Sequence, residues 1–392
     1  MTYLNLSETE LLARGALYTA REIAGQPALW KSTEEKYYQE SSRIQEFLDN
    51  ALQEVDQVVL TGAGTSAFIG LSLIGTFFTR TRRITRAIAT TDLLSHPRHY
   101  FRQDQCPLII SFARSGKSPE SCAALELADR LCKKCFHLII TCNEEGALAQ
   151  YTSTNPVSVF VLPPEANDKS LAMTGSYSSM LLAALLISRP KEKEYCQNQV
   201  RLLTSIAEKI ISDQTENIRK IADKEFERAV FLGSGPLFGT ATEAALKLQE
   251  LTDGQVICKS DSYLGFRHGP KAVIDETTLI FYLFSNNDYV HQYEADLLQA
   301  MNTGNSALFH LGVAEQPARH EILQTTITLS NGEGLAKDSR LAEDFLTVCS
   351  ILPAQLLGFF KSLSLGLMPD SPSVSGAISR IVEGVTIYPV EA

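Results

Sequence analysis

The chain has 392 residues, a formal net charge of −10, and 44% hydrophobic against 20% charged residues. The length suggests two domains or one large one, and the balance is that of a globular protein able to bury sizeable cores. The acidic surplus argues against a nucleic-acid binder, and it requires that any anionic ligand be held by a local site instead of the global field.

Residues 1–50 read as a polar helical extension. Tyr37, Ile44, Phe47, Leu48 and Ala51 recur at helical spacing, and Trp30, which follows Gly25 and Pro27, is placed near a helix boundary. The N-terminal stretch carries Glu8 and Glu10 and no apolar h-region, so no secretory signal is expected. The longest apolar run, about residues 180–187, is too short to span a bilayer. A cytoplasmic protein without a membrane partner is the expectation.

From Val55 the pattern changes. Val58, Val59 and Leu60 predict a strand running into the turn Thr61, Gly62, Ala63, Gly64, Thr65 and Ser66, then a helix. Residues 107–110 predict a second strand, 111–121 a loop leading into a helix that ends near Leu131, 137–141 and 157–162 further strands, and 174–186 an apolar helix. Strands alternating with helices mean βαβ units and a parallel sheet. An internal repeat follows: Gly62 and Gly64 fall on Gly233 and Gly235, and Leu108-Ile109 on Leu279-Ile280 at the same offset, which suggests duplication of a βαβ domain.

The copies have diverged. Only the first follows its strand with the hydroxyl-rich, cationic run Arg114, Ser115, Gly116, Lys117, Ser118, ahead of a helix opening at Pro119. A helix N-terminus offers backbone N–H groups and a positive dipole end, the hydroxyls add donors, and Gly116 permits close approach. This reads as a phosphate cradle, or as a plain turn with a serine N-cap. The Walker spacing is missing, so a nucleoside triphosphate is not expected. Nor is a dinucleotide, because Ala67 replaces the third glycine of the fingerprint and Arg82, Arg83 and Arg86 occupy the region where an acidic residue is needed.

On the predicted helix after the second glycine turn, Glu243, Lys247 and Glu250 share one face. Taken alone they read as a solvated face with an i,i+4 pair; the functional alternative is a general base, Glu250, steadied by Lys247. His268, among Arg267, Gly269, Pro270 and Lys271, is a loop histidine: a surface residue, or a group that opens a sugar ring by moving a proton to its ring oxygen. Cys132 and Cys135 form the one CxxC pair among eight scattered cysteines, and they read as reduced thiols on a helix face without a zinc or redox role.

Residues 60–70, 110–121, 140–144, 243–251 and 265–271 together resemble the sugar isomerase (SIS) family over nearly the whole chain. The branch they are most similar to is the galactosamine-6-phosphate deaminase/isomerase group, often labelled tagatose-6-phosphate ketose/aldose isomerase. The resemblance implies an α/β protein of two tandem SIS domains, each a three-layer αβα sandwich with a mainly parallel sheet. It places an extension at 1–50, a phosphate-binding domain at 51–215, a catalytic domain at 216–365 and a tail at 366–392. Ser115 and Ser118 match phosphate-binding hydroxyls, with Gly116 between them and Arg114 at a neighbouring contact. Thr65 and Ser66 match the sugar-facing turn, and Leu171-Ala172 the backbone segment that closes over the sugar. Glu250 matches the base that shuttles a proton between C2 and C1, Lys247 its partner, and His268 the ring-opening histidine donated by the neighbouring subunit. A homodimer or higher homo-oligomer acting on a small sugar phosphate is implied, with no metal and no organic cofactor.

Two departures stand out. Ala113 replaces a third phosphate-binding serine of the related glucosamine-6-phosphate synthase, and Arg380 and Glu383 stand where the synthase has a closing lysine. Only 60 residues precede the first glycine turn, so no glutamine-hydrolysing domain is expected there. Deamination of galactosamine 6-phosphate to tagatose 6-phosphate and ammonia is therefore expected. Glucosamine-6-phosphate deamination, a plain aldose–ketose isomerisation and a non-catalytic sugar-phosphate sensor remain alternatives.

Overall fold

The computed structural model describes all residues except 317–319, 331–339, 381–383 and 390–392, and Glu383 is among those outside. The chain forms two compact units. One, the first lobe, comprises Leu29–Asn167, Gly175–Cys196 and Ser379–Ala392; the other, the second lobe, comprises Met1–Ala28, Asp168–Thr174 and Gln197–Ile378.

The N-terminal segment opens with a small antiparallel pair, β1 (Thr2–Tyr3) and β2 (Leu6–Ser7), and helix α1 (Glu8–Ala13), capped by the Ser7 hydroxyl. Helix α2 then runs unbroken over Leu17–Glu54. This corrects the expectation of a boundary beside Trp30. Pro27 lacks the N–H that the Ile23 carbonyl would accept, and the Gln26 side chain supplies it instead, with Nε2 donating to that carbonyl at 3.2 Å. Trp30 is fully buried and its indole N–H donates to Ser178 Oγ at 2.9 Å.

The first lobe contains β3 (Gln57–Thr61), α3 (Thr65–Thr81), β4 (Ile84–Ala87), α4 (Thr90–Ser95), β5 (Pro107–Ala113), α5 (Pro119–Leu131), β6 (Phe136–Thr141), β7 (Val157–Val161) and α6 (Gly175–Ile187). Its five strands are all parallel, in the order β4-β3-β5-β6-β7. β3, β5 and β6 are buried along their whole length, which explains their unbroken apolar runs. Helix α6 is buried on every side, so it shows no polar face.

After α7 (Lys193–Ala222) the second lobe repeats the plan: β8 (Arg228–Leu232), α8 (Pro236–Leu251), β9 (Ile257–Asp261), the short α9 (Tyr263–Phe266), β10 (Thr278–Leu283), α10 (Asp288–Ala300), β11 (Phe309–Ala314) and β12 (Thr325–Thr328). Its parallel sheet has the order β12-β11-β10-β8-β9, the same topology as the first. The glycine turns agree in detail. Gly64 and Gly235, at the starts of α3 and α8, have φ 55° with ψ −128° and −127°. A Cβ on Gly62 would sit 2.6 Å from the Ser66 backbone, and one on Gly233 would sit 2.4 Å from the Leu237 carbonyl. Only glycine lets strand and helix come so close. The duplication expected from the repeat is therefore present, as two αβα domains with parallel sheets.

Helices α11 (Glu343–Ser350) and α12 (Leu352–Ser364) complete the second lobe. The stretch Glu343–Ser364 has the length and apolarity of a membrane span, but its apolar window is wholly buried inside the fold. Gly358 of α12 lets that helix press on α8, where a Cβ would lie 2.9 Å from Leu251 Cδ1.

Candidate active site

In the first lobe, β3 leads to α3 on the β4 side of the sheet, while β5 leads to α5 and the remaining strands on the other side. The strand order reverses between β3 and β5, and in open α/β sheets ligands bind beyond the carboxyl ends of the strands at such a point. The structure brings together at this edge the two loops expected to bind the sugar and its phosphate. Thr65 and Ser66, both buried, open α3 after β3. Residues 114–118 join β5 to α5.

The second loop is rigidly built. Gly116 takes φ +60°, a left-handed conformation that favours glycine. The Asn143 amide donates to the Ser115 carbonyl at 2.8 Å, and Leu148 N–H donates to the Gly116 carbonyl at 3.0 Å. Ser115 Oγ accepts the Lys117 N–H at 3.3 Å. Ser118 is the N-cap of α5 without a side-chain capping bond, and its hydroxyl donates to Glu120 Oε2 at 2.5 Å. Arg114 is buried and its guanidinium donates to the Arg380 carbonyl, while the Arg380 side chain donates to Asn167 Oδ1 at 2.9 Å. Glu120 is a residue the sequence reading missed. An acidic residue two places after a serine N-cap was its signal, as an occupant of the positive end of a helix.

In the second lobe, the face of α8 read as solvated is buried. Glu243 and Lys247 are 0% and 1% exposed in their side chains, and Glu250 is 22% exposed. Lys247 Nζ lies 3.4 Å from Glu243 Oε1 and 2.5 Å from Glu250 Oε2. A buried ammonium is costly unless paired, and here it has two carboxylates. Glu250 alone of the three retains access to solvent. Its Oε1 makes no hydrogen bond among the described residues, so that oxygen is available to a substrate proton.

His268 sits in the exposed turn after α9, its backbone N–H bonded to the Gly265 carbonyl at 2.9 Å. Its imidazole has no partner among the described residues. Neighbouring Lys271 is spent on structure, with Nζ donating to the carbonyls of Ala300 and Thr303.

The segment carrying Leu171 and Ala172 also belongs to this lobe. Leu171 N–H donates to the Asp370 carbonyl at 3.0 Å. Glu22 of α2 accepts the backbone N–H groups of Lys169 and Ser170 and the Ser170 hydroxyl. Burial, and then the charge of Asp168, push the Glu22 carboxyl up to about 7 against those hydrogen bonds. No motif marked Glu22, because its partners lie far along the chain.

The CxxC pair is not on a helix face: Cys132 caps the end of α5 and Cys135 stands just before β6. Cys135 belongs to a partly buried cluster around Asp129. That carboxylate accepts hydrogen bonds from His137 Nε2 at 2.7 Å, Tyr151 Oη at 2.6 Å, Asn155 Nδ2 at 2.9 Å and Cys135 Sγ at 3.1 Å. The Asp129, Cys135 and His137 ligand atoms lie within 4.8 Å of one another, close enough to invite a metal reading. The amide donor of Asn155 directed at the same oxygen favours a closed hydrogen-bond network over a cation. Burial pushes the Cys132 thiol up to about 12 and the Cys135 thiol higher, away from the reactive thiolate.

Residues 51–188 match the SIS domain family. D-galactosamine-6-phosphate deaminase AgaS of Shewanella sp. (strain ANA-3) is 39% identical over 391 residues, 98% of this chain and 95% of that protein. This chain belongs to the AgaS family of SIS-domain proteins. Among solved structures, the tagatose-6-phosphate ketose/aldose isomerase of Escherichia coli matches this AgaS-family chain with a TM-score of 0.84 at 33% identity, covering 96% of this chain and 97% of that one. A Clostridium novyi NT structure, provisionally assigned the same isomerase activity, matches with a TM-score of 0.94 at 38% identity over 100% of both chains.

Proposed function

We propose that this AgaS-family chain is an amino-sugar-phosphate deaminase/isomerase that converts D-galactosamine 6-phosphate and water to D-tagatose 6-phosphate and ammonia. The observation that carries the reading is the buried Glu243–Lys247–Glu250 row, in which one carboxylate keeps a free oxygen. A lysine fixed at hydrogen-bond distance orients that carboxylate and sets a positive charge beside it, as suits a general base. The names of the full-length relatives support the substrate.

In this reading Ser115, Ser118 and the Gly116 backbone hold the phosphate, with Arg114 fixing the loop's edge and Thr65 and Ser66 facing the sugar. Binding the phosphate draws the Ser118 hydroxyl away from Glu120. His268, supplied by a partner subunit of a homodimer, moves the proton that opens the ring. Glu250 removes the C2 proton and returns it to C1. The resulting ketimine takes up water and releases ammonia, leaving the ketose phosphate. Leu171 and Ala172 line the sugar. The residues alone carry this chemistry, with no metal or organic cofactor in the scheme. Eight cysteines with no disulfide fit a reducing, cytoplasmic setting.

The test is to incubate the protein with galactosamine 6-phosphate and, separately, glucosamine 6-phosphate, and to measure ammonia and ketose phosphate together. Equimolar ammonia and ketose from the galacto substrate supports the proposal. Ketose formation from an aldose phosphate, without ammonia from either amino sugar, replaces it with simple isomerisation.

A further inference from the structure

Ser118 stands at the N-cap of α5 but its side chain does not cap the helix. An N-cap hydroxyl ordinarily accepts an N–H from the first turn. Here the Ser121 N–H donates to the Ser118 backbone carbonyl at 3.1 Å, and Pro119 has no N–H to offer. The Ser118 hydroxyl is turned the other way, as a donor, to Glu120 Oε2 at 2.5 Å. Glu120 is 7% exposed, and this hydroxyl is the one hydrogen-bond partner of its side chain among the described residues. No cation is paired with it among those residues. A hydroxyl has one proton to give. While that proton serves Glu120, the half-buried Ser118 has only lone pairs to present to an arriving anion.

We propose that Glu120 is a positioning residue that loosens the loop's hold on every phosphate, by competing for the Ser118 proton. This rests on the function proposed above, in which Ser118 is a phosphate ligand. A phosphate oxygen must draw that proton off a carboxylate, and a hydrogen bond to a charged acceptor is roughly twice as strong as one to a neutral acceptor. The exchange therefore costs part of what the new bond gains. The cost belongs to the loop and not to the sugar. It falls equally on sugar-phosphate substrate, ketose-phosphate product and inorganic phosphate. A uniform penalty of this kind raises KM without touching the chemical step, and it keeps the site less occupied by product and by inorganic phosphate.

The experiment measures kcat and KM for ammonia release from galactosamine 6-phosphate, and the inhibition constant of inorganic phosphate, in the wild type and Glu120→Gln at one pH. Glutamine keeps the size, and its neutral amide oxygen holds the Ser118 proton less tightly than a carboxylate does. KM and the inhibition constant fall by the same factor, roughly 3- to 10-fold, with kcat little changed. Glu120 borders a cavity of about 590 Å³ between α4, α5 and residues 385–389, so Glu120→Ala enlarges a space already there; it gives the same falls by removing the acceptor outright. In a Ser118→Ala background, Glu120→Gln changes neither constant. The same fall with and without the Ser118 hydroxyl overturns the proposal, as does an unchanged or raised KM, or a fall confined to the sugar phosphate. If the wild type releases no ammonia, the functional reading fails on its own. The competition is then tested by calorimetric binding of inorganic phosphate, which Glu120→Gln binds roughly 3- to 10-fold more tightly; equal affinity, or no binding to either protein, overturns it.

Discussion

Lys247 Nζ reaches Glu250 Oε2 at 2.5 Å from one turn back along α8, and the lysine is 1% exposed while the glutamate keeps 22%. The pair is built so that the cation is committed and the carboxylate is not. Glu250→Gln keeps the shape and removes the base. It is expected to lower kcat by ~10²–10⁴ with little change in KM, the usual contribution of general-base catalysis. Lys247→Met leaves Glu243 and Glu250 facing an apolar chain; a loss of about 3 kcal/mol in chemical denaturation accompanies its loss of activity. Near-normal turnover in Glu250→Gln would remove Glu250 from the mechanism.

His268, with no partner for its imidazole among the described residues, suits a role in a neighbouring subunit's site. The check is subunit mixing. His268→Ala and Glu250→Gln are each inactive alone. In the proposed homodimer, co-refolding makes half the dimers mixed, and each mixed dimer regains one intact site of two, so activity returns to about a quarter of wild type. No recovery above the separate variants would place the histidine in its own subunit's site or outside catalysis.

The proposed phosphate loop, residues 114–118, predicts a different kinetic signature. Ser115→Ala with Ser118→Ala removes two hydroxyl donors while Gly116 and the Asn143 and Leu148 bonds keep the loop's shape. Two charge-assisted hydrogen bonds correspond to roughly 10²-fold or more in KM. The loss is confined to phosphorylated substrates. Equal activity of the parent enzyme on free galactosamine would show that the loop does not read phosphate.

Much of this was legible because it is local. The glycine turns at Gly62–Gly64 and Gly233–Gly235 marked the equivalent strand-to-helix turn of each sheet, since strand-to-helix approach of that closeness excludes a Cβ. The i, i+4, i+7 spacing of Glu243, Lys247 and Glu250 placed them on one face, but spacing cannot say which side of a helix is covered. Tertiary packing decides that, and it buries Glu243 and Lys247 while leaving Glu250 partly open. The uninterrupted helix past Pro27 was hidden for a similar reason: a side chain, Gln26, repairs what the backbone lacks. The Glu22 network was invisible because its partners lie far along the chain, and that of Asp129 because the loop after β6 folds back onto the end of α5.

Asp129 gives a stability prediction of its own. Burial raises its pKa, but hydrogen bonds from His137, Tyr151, Ser153 and Cys135 outweigh that and hold the carboxyl well below its ordinary 3.8. A depressed folded-state pKa means the unfolded chain binds the proton more readily. The stabilisation is therefore complete above the unfolded-state value and is lost as pH falls through it toward the folded-state value. Asp129→Asn keeps the size, removes the charge and turns an amide donor toward Tyr151 or Asn155. At pH ~7 it is expected to cost about 2–3 kcal/mol in urea denaturation. The gap from wild type narrows as pH drops below about 4, where the unfolded carboxyl is already protonated. A gap that stays constant from neutral to acid pH would mean that packing, not the charge of this carboxylate, holds the Cys135–His137 cluster together.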